Sequence, residues 1–448
     1  MSFSSLGIGA SALQAAQRAV EVAAHNVANS GTAGFTRQRL EVSTSTPTPG
    51  TAGMRGDGQR GTGVTVLSVE RLRDRLADVA FRSEASITGA ATARSSALDR
   101  AESVLGPYAE GTPEALSRFF AAWDQLSLTP QDPATRASVL AAGADLAAGL
   151  RSSAEELDAV VGEVTQRIDD QTQEADGLLG LVATLNQTIA DATSSGQNPN
   201  DLYDQRDNAL DRLSQLLGTR VVPGDDQTVE VWLGDTRLVS RGTSEGLAMG
   251  AGPTLTTATG APLSPRGEVG GYLSVVKVDL PSYRSQLDAL ALGLRDAVNA
   301  IHQQGFDRNG AAGGDFFSAT SAGDLDLRAG LTGDEVAASA TGAAADGNGA
   351  IAMARLRTTA AVGGATVGDA ARAFAGRVGQ AASDAARSAR AAELGLGSAA
   401  QTRASLNGVN VDEEMVDLVR YQHSYEAAAK VIAIVDEMLD TLINRMGR

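Results

Sequence analysis

Apolar residues return every seven positions at both ends of this chain. Near the start, Leu6, Leu13, Val20 and Val27 form one row, and Gly9, Ala16 and Ala23 form a small-residue row three positions on. A bulky row beside a small row predicts a helix whose seam meets another helix closely. The pattern stops in Asn29, Ser30, Gly31, Thr32, Ala33 and Gly34, residues that permit turn conformations. At the other end Val411, Leu418, Tyr425, Ile432, Leu439 and Met446 repeat at seven, with a partly polar companion row of Met415, Gln422, Ala429, Asp436 and Ile443. Asn410 or Asp412 is placed to cap that helix, which would run roughly 50 Å at 1.5 Å per residue. Neither seam can be buried by its own helix. Each needs the other end of the chain or a neighbouring chain.

Between the ends, 36–66 reads as extended and irregular, because Pro47, Pro49 and the glycines from Gly50 to Gly63 interrupt any helix. Helical periodicity returns from about Leu72 to Leu105, and Pro130 and Pro133 mark a connection. A long helix is predicted over 134–193, where Val161, Ile168, Ala175, Val182 and Ile189 again repeat at seven. A short helix follows at 201–217. Period two then predicts short strands around Thr219–Pro223, Val229–Leu233 and Leu238–Val239. Helix resumes from Tyr272 or Pro281 to His302, residues 306–350 are weakly patterned, and helix returns over 366–392. The expected fold is mainly α: a long helical bundle or coiled coil with paired terminal helices and a small β-hairpin region within 219–270. The expected division is 1–35 with 405–448, a linker at 36–70, a helical bundle of 71–305 with 351–404, and a reduced loop or vestigial outer domain at 306–350.

Composition narrows the chemistry. The 448 residues are 43% hydrophobic but only 4% aromatic, which suits thin helix-on-helix layers. Cysteine is absent, so disulfides, thiolate metal sites and thiol nucleophiles are excluded. The net charge of −17 argues against nucleic acid or an anionic membrane as a partner. No apolar stretch approaches the 18 or so residues of a membrane span, and the first residues lack the pattern of a cleaved signal peptide.

No catalytic constellation is present. Gly7-Ile8-Gly9 and Gly61-Thr62-Gly63 are fragments of a dinucleotide loop without its strand. Asp307-Arg308-Asn309-Gly310 opens like a calcium loop, but Ser318 stands where the bidentate Glu belongs. His25, His302 and His423 lie in separate segments and read as structural. No catalytic residue, cofactor or metal is expected.

Two terminal segments carry a resemblance. His25-Asn26-Val27-Ala28-Asn29, with Thr32, Gly34, Phe35, Arg37 and Gln38, resembles the amino-terminal signature of bacterial flagellar axial proteins, with His25 and Phe35 as substitutions. Asn407-Gly408-Val409-Asn410-Val411-Asp412-Glu413-Glu414-Met415, with Tyr421, Gln422 and Tyr425, resembles the matching carboxy-terminal signature. The middle narrows the choice. Asn198 to Asp207 with Leu213-Ser214, Gly267 to Leu273, Val298 to Asp307 and Gly314 to Phe317 are similar to the hook-associated protein 1 family in order along the chain.

The resemblance implies a structural protein of the flagellum, extracellular, exported by the flagellar type III apparatus without a cleaved signal and needing no cofactor. It implies a terminal helical layer that folds on assembly and joins hook to filament. Implied partners are further copies in a ring, hook protein, hook-associated protein 3, and an export chaperone on the C-terminal helix. The assembly surface is expected on Leu6, Leu13, Val20, Val27, Val411, Met415, Leu418, Tyr425, Ile432 and Leu439. The alternative is another axial component: hook-associated protein 3, hook or rod protein. The family often carries a β-rich outer domain after the Phe316-Phe317 segment. Only about thirty residues (318–349) are available here, too few for a normal domain.

Overall fold

A computed structural model describes residues 2–47 and 61–445. In chain order the elements are α1 (Ser2–Asn29), β1 (Gln38–Thr44), β2 (Val64–Arg71), α2 (Arg75–Leu128), α3 (Pro133–Ser194) and α4 (Asn200–Leu217). Strands β3 (Arg220–Pro223), β4 (Val229–Leu233), β5 (Thr236–Ser240) and β6 (Thr243–Ser244) follow, then β7 (Leu247–Met249), β8 (Leu255–Thr257) and β9 (Pro262–Leu263). Helix α5 (Glu268–Ser274) runs through a π-helical turn (Val275–Asp279) into α6 (Leu280–Gln304). The short pair β10 (Phe317–Ser318) and β11 (Asp326–Leu327) precedes α7 (Asn348–Arg355), α8 (Val367–Asn407) and α9 (Val411–Arg445). The fold is mainly α with small antiparallel sheets, as the periodicity predicts.

Polar residues set the helix starts. The Asp74 carboxylate accepts the backbone N–H groups of Leu76 and Ala77 to open α2, and Asp132 accepts that of Ala134 at α3, with Pro133 in the first turn. Asn410 accepts the N–H of Asp412 and opens α9 in the same way. Gly218 ends α4 in the left-handed region at φ 74°.

The chain's contacts gather into two units. One holds Met1–Ala85, Asp176–Gly246 and Leu394–Arg448, the other Ser86–Ala175 and Leu247–Glu393. This differs from the division expected at 36, 71 and 405. The long helices do not end where the terminal signatures end, so α4 and the β3–β6 meander group with the two ends of the chain. The single β region expected over 219–270 is two sheets, β3–β6 in the first unit and β7–β9 in the second.

In the first unit, the expected linker at 36–70 is instead a two-stranded ribbon. β1 and β2 pair antiparallel from Gln38 opposite Arg71 to Thr44 opposite Val64, and both pack on α1. The prolines and glycines that suggested irregularity fall mainly at 48–60, outside the described residues. Met446 also lies outside them.

In the second unit, Phe119, Phe120, Trp123, Phe316 and Phe317 stack as tilted and edge-on rings with centroids 4.8–6.3 Å apart, all fully buried. His302 completes the cluster with no exposed surface. Its ring faces the Gly314 carbonyl through Nδ1 (2.7 Å) and accepts the Ala337 N–H at Nε2 (3.0 Å), which fixes a neutral tautomer. The segment read as a reduced loop, 306–350, is therefore part of this core. Its buried residues include Ala322, Leu325, Val336, Ala337 and Ala338. Side chains join short main-chain pairs in satisfying its backbone. Asn299 accepts the N–H groups of Phe316 and Phe317, Asp324 those of Thr320 and Ser321, and Asp346 those of Ala340 and Thr341. Hydrogen bonds, foremost from the Thr320 hydroxyl to Asp324 and from the Asn348 N–H to Asp346, hold both carboxyls far below the usual carboxylate range. Two expected helices are also longer: α2 runs on past Gly106 to Leu128, and α8 past Ala392 to Asn407.

Candidate assembly joint

Helices α1 and α9 pack against each other. A Cβ built on Gly9 would lie 2.9 Å from Ile432 Cγ1, and Asn26 Nδ2 donates to Glu414 Oε2 at 3.0 Å. The residue numbers rise along one helix and fall along the other, so the pair is antiparallel. On α1 the small residues are innermost: Ala16, Ala19 and Ala23 are buried, while Leu6, Leu13, Val20 and Val27 are half-buried. Small residues let the helix axes approach, and the bulky row flanks the contact.

On α9 the inner row is Glu414, Tyr421, Ala428 and Val435, with Leu418, Ile432 and Leu439 half-buried beside it. This corrects the expected companion row, which began one residue later. Met415 is 47% exposed, and Val411 and Tyr425, from the other expected row, are exposed too. The seam turns toward α1 on a polar residue, Glu414, which a hydrophobic pattern cannot reveal.

Glu414 is only 3% exposed and is held from two sides. Arg37 Nε lies 2.6 Å from Oε1, and the Asn26 amide holds Oε2. Asn26, 1% exposed, also makes a reciprocal pair with the main chain of Gln38, accepting its N–H and donating to its carbonyl, both at 2.9 Å. The amide thus pairs with Gln38, the first residue of β1, as a neighbouring strand would, and every polar atom of Asn26 is used. Arg37 reaches Glu413 as well (3.1 Å), and its N–H donates to the carbonyl of Asn407. The Asn407 side chain accepts the N–H of Asp74.

The turn before β1 is built from the other signature residues. Asn29 Nδ2 donates to the His25 carbonyl, Thr32 Oγ1 donates to Asn29 Oδ1, and Phe35 meets the His25 ring edge-on at 5.4 Å. Gly34 has φ 76°, and a Cβ there would fall 1.7 Å from Asn208 Oδ1. Tyr421 lies half-buried in the α9 seam with Arg420 over its ring, while Asp412 and Gln422 are exposed.

The joint extends into α4 through charges that pattern-reading passes over. Arg71 pairs with Asp204 (2.6 Å) and Asp207 (2.9 Å), and Arg73 pairs with Asp78 and Asp207. Arg82 reaches Asp207 and Asp211, and Arg403 bridges Asp78 (2.9 Å) and Asp211 (2.6 Å). All eight side chains are less than a fifth exposed. Asp204 also accepts the Thr36 N–H, and Asn200 donates to Gln38 Oε1 and the Val69 carbonyl. Beside them Arg206 donates to Asn186 and to the Gln227 carbonyl. Burial, and next the positive charge of Arg71, lower its pKa to about 10.

A buried network balanced in charge adds little net stability over an apolar core, but it tolerates few alternative arrangements. It ties residues near 26–38, 69–82, 198–211 and 403–417 into one joint. Part of it could have been read in the sequence. Asp204, Asp207 and Asp211 share one face of a helix, and Arg71 and Arg73 share one face of a strand end.

Asp307 accepts the N–H groups of Asn309 and Ala311, an Asx turn and not a calcium site. Among the described residues no group of three or more His, Asp or Glu is placed to hold a metal, and no helix is long and apolar enough to cross a membrane.

The flagellar hook-associated protein FlgK helical domain matches residues 98–317, and the basal body rod families match 6–36 and 401–446, the two signature ends. Flagellar hook-associated protein 1 of Bacillus subtilis is 30% identical over 97% of this chain and 97% of its own length. The chain belongs to the flagellar hook-associated protein 1 family. The Escherichia coli member is 28% identical over 69% of this chain and 58% of its own. A solved structure, the flagellar hook junction protein FlgK from Burkholderia pseudomallei, shares the fold with a TM-score of 0.67 at 16% identity, covering 73% of this chain and 100% of that one. Hook-associated protein 1 is a structural flagellar component and not an enzyme, so the chain takes its place among the flagellar axial proteins.

Proposed function

We propose that this chain is the subunit that joins the flagellar hook to the filament, exported by the flagellar type III apparatus and polymerised through its paired terminal helices. The observation that carries the reading is the joint itself. Three family segments, from the start, middle and end of the chain, meet there to hold the α1–α9 pair. The outer flanks of α9 still expose Val416, Val419, Val431, Ile434 and Met438. Such a surface suits burial against further copies and the neighbouring axial proteins, hook protein and hook-associated protein 3. It also suits reversible cover by an export chaperone before secretion. The name of the Burkholderia structure and the whole-length match to hook-associated protein 1 support the junction over a hook or rod role.

Deletion of the gene in its own host tests this. Cells should carry intact hooks and shed filament protein into the medium, and the wild-type chain should restore attached filaments. Loss of the hook itself would assign the chain to a more proximal component.

A further inference from the structure

The seam between α1 and α9 does not by itself determine how the two helices align. The α9 rows Glu414, Tyr421, Ala428, Val435 and Leu418, Tyr425, Ile432, Leu439 both repeat at seven, as does the small α1 row Gly9, Ala16, Ala23. Sliding α9 by seven residues brings Leu439 to Gly9 in place of Ile432, and apolar residues again meet small ones. What changes is the polar end. Tyr421 would replace Glu414 opposite Asn26, taking the carboxylate from one of the two Asn26 Nδ2 hydrogens and leaving Arg37 without its best-buried partner.

We propose that Asn26, Arg37 and Glu414 are positioning residues that set the register of the terminal pair. Three observations carry this. Glu414 is the one charged member of the inner α9 row, and Asn26 is the polar residue at the end of the buried α1 positions Ala16, Ala19 and Ala23. Asn26 is anchored independently by the Gln38 main chain, so it is a fixed reference and not a side chain that can follow Glu414. The two contacts that define the pair, Gly9 to Ile432 and Asn26 to Glu414, are 17 residues apart on α1 and 18 on α9, so the polar contact and the close apolar contact belong to the same alignment. A single buried polar contact in an otherwise repetitive seam selects alignment because the alternatives strand a desolvated group. The inference rests on the pairing and not on the junction reading, so either can fail without the other.

Because the chain has no cysteine, introduced pairs report cleanly. Gly9→Cys with Ile432→Cys reads the observed register, and Gly9→Cys with Leu439→Cys reads the register displaced by one heptad. Both are made in the purified full-length chain under mild oxidation and scored by gel mobility. The otherwise unchanged chain should bridge 9 to 432 and leave 9 to 439 at background. Adding Arg37→Ala and Glu414→Ala should bring the 9–439 bridge up to an amount comparable with 9–432. Asn26→Asp, which sets two carboxylates against each other, should do the same. Glu414→Gln, which keeps an acceptor for Asn26, should retain the native bridge. Exclusive 9–432 bridging in the double alanine and Asn26→Asp chains would overturn the proposal. So would equal bridging at both positions in the unchanged chain, or loss of both bridges in the variants.

Discussion

Gly34 and Gly31 stand in the same turn and answer to different physics. Gly34 combines a left-handed backbone with an Asn208 side chain lying where a Cβ would be, whereas nothing lies within 4 Å of a Cβ on Gly31. Gly34→Ala should cost about 1–3 kcal/mol, from backbone strain plus displacement of Asn208, and lower the urea midpoint accordingly. Gly31→Ala should stay within about 0.5 kcal/mol of the parent. His302 offers a second test. Burial lowers its pKa from the ordinary 6.5, opposed by the hydrogen bond to the Gly314 carbonyl. The unfolded chain therefore takes up a proton near pH 6.5 that the folded chain refuses. Stability from this residue is complete above that pH and declines as pH falls toward the lower folded value. Urea midpoints measured between pH 7.5 and 5.5 should fall, and His302→Gln should flatten that slope while lowering stability throughout.

Helices α1, α3 and α9 could be read from heptad spacing nearly to their ends, because a row that repeats at seven is written in the residues themselves. The phase of α9 could not, since its inner row begins on Glu414 and is completed by Arg37, far away in sequence. The ribbon β1–β2 was obscured by the prolines and glycines between its strands. The 306–347 stretch was obscured because Asp324, Asp346 and Asn299 share the work of satisfying its backbone with short main-chain pairs, leaving no periodic signal. Residues of the charged ladder were visible, but not their partners. Asp207 contacts Arg71, Arg73 and Arg82 in a nearly dry setting, so Asp207→Asn should destabilise by about 3–5 kcal/mol in chemical denaturation. Asp201→Asn on the same helix, largely exposed beside His25, should change it by less than about 0.5 kcal/mol. The β3–β4 hairpin turns on two non-glycine residues with positive φ, Asp226 (53°) and Gln227 (62°). Gln227 is exposed there, so Gln227→Gly should stabilise by up to about 1 kcal/mol, read as a raised midpoint with an unchanged slope.

For the molecule as a building block, the exposed apolar flank of α9 separates folding from assembly. Val419→Asp with Ile434→Asp changes two exposed positions, so far-ultraviolet circular dichroism and the melting transition should match the parent. If the flank is buried by neighbouring subunits, each carboxylate costs several kcal/mol there, and the variant should fail to restore filaments in a deletion strain. Normal motility would show that α9 meets its neighbours elsewhere. The antiparallel pair has one more consequence. The contact from Asn26 to Glu414 spans 388 residues of sequence, so the pair closes across almost the whole chain and carries a large loop-closure cost. A chain cut short by premature termination or proteolysis before α9 keeps an α1 with an open row of small residues, an Asn26 held by Gln38 alone, and an Arg37 side chain without its carboxylate partners. The state of one end of the polypeptide is thereby written into the other: without its tail, the head of the chain cannot complete these contacts.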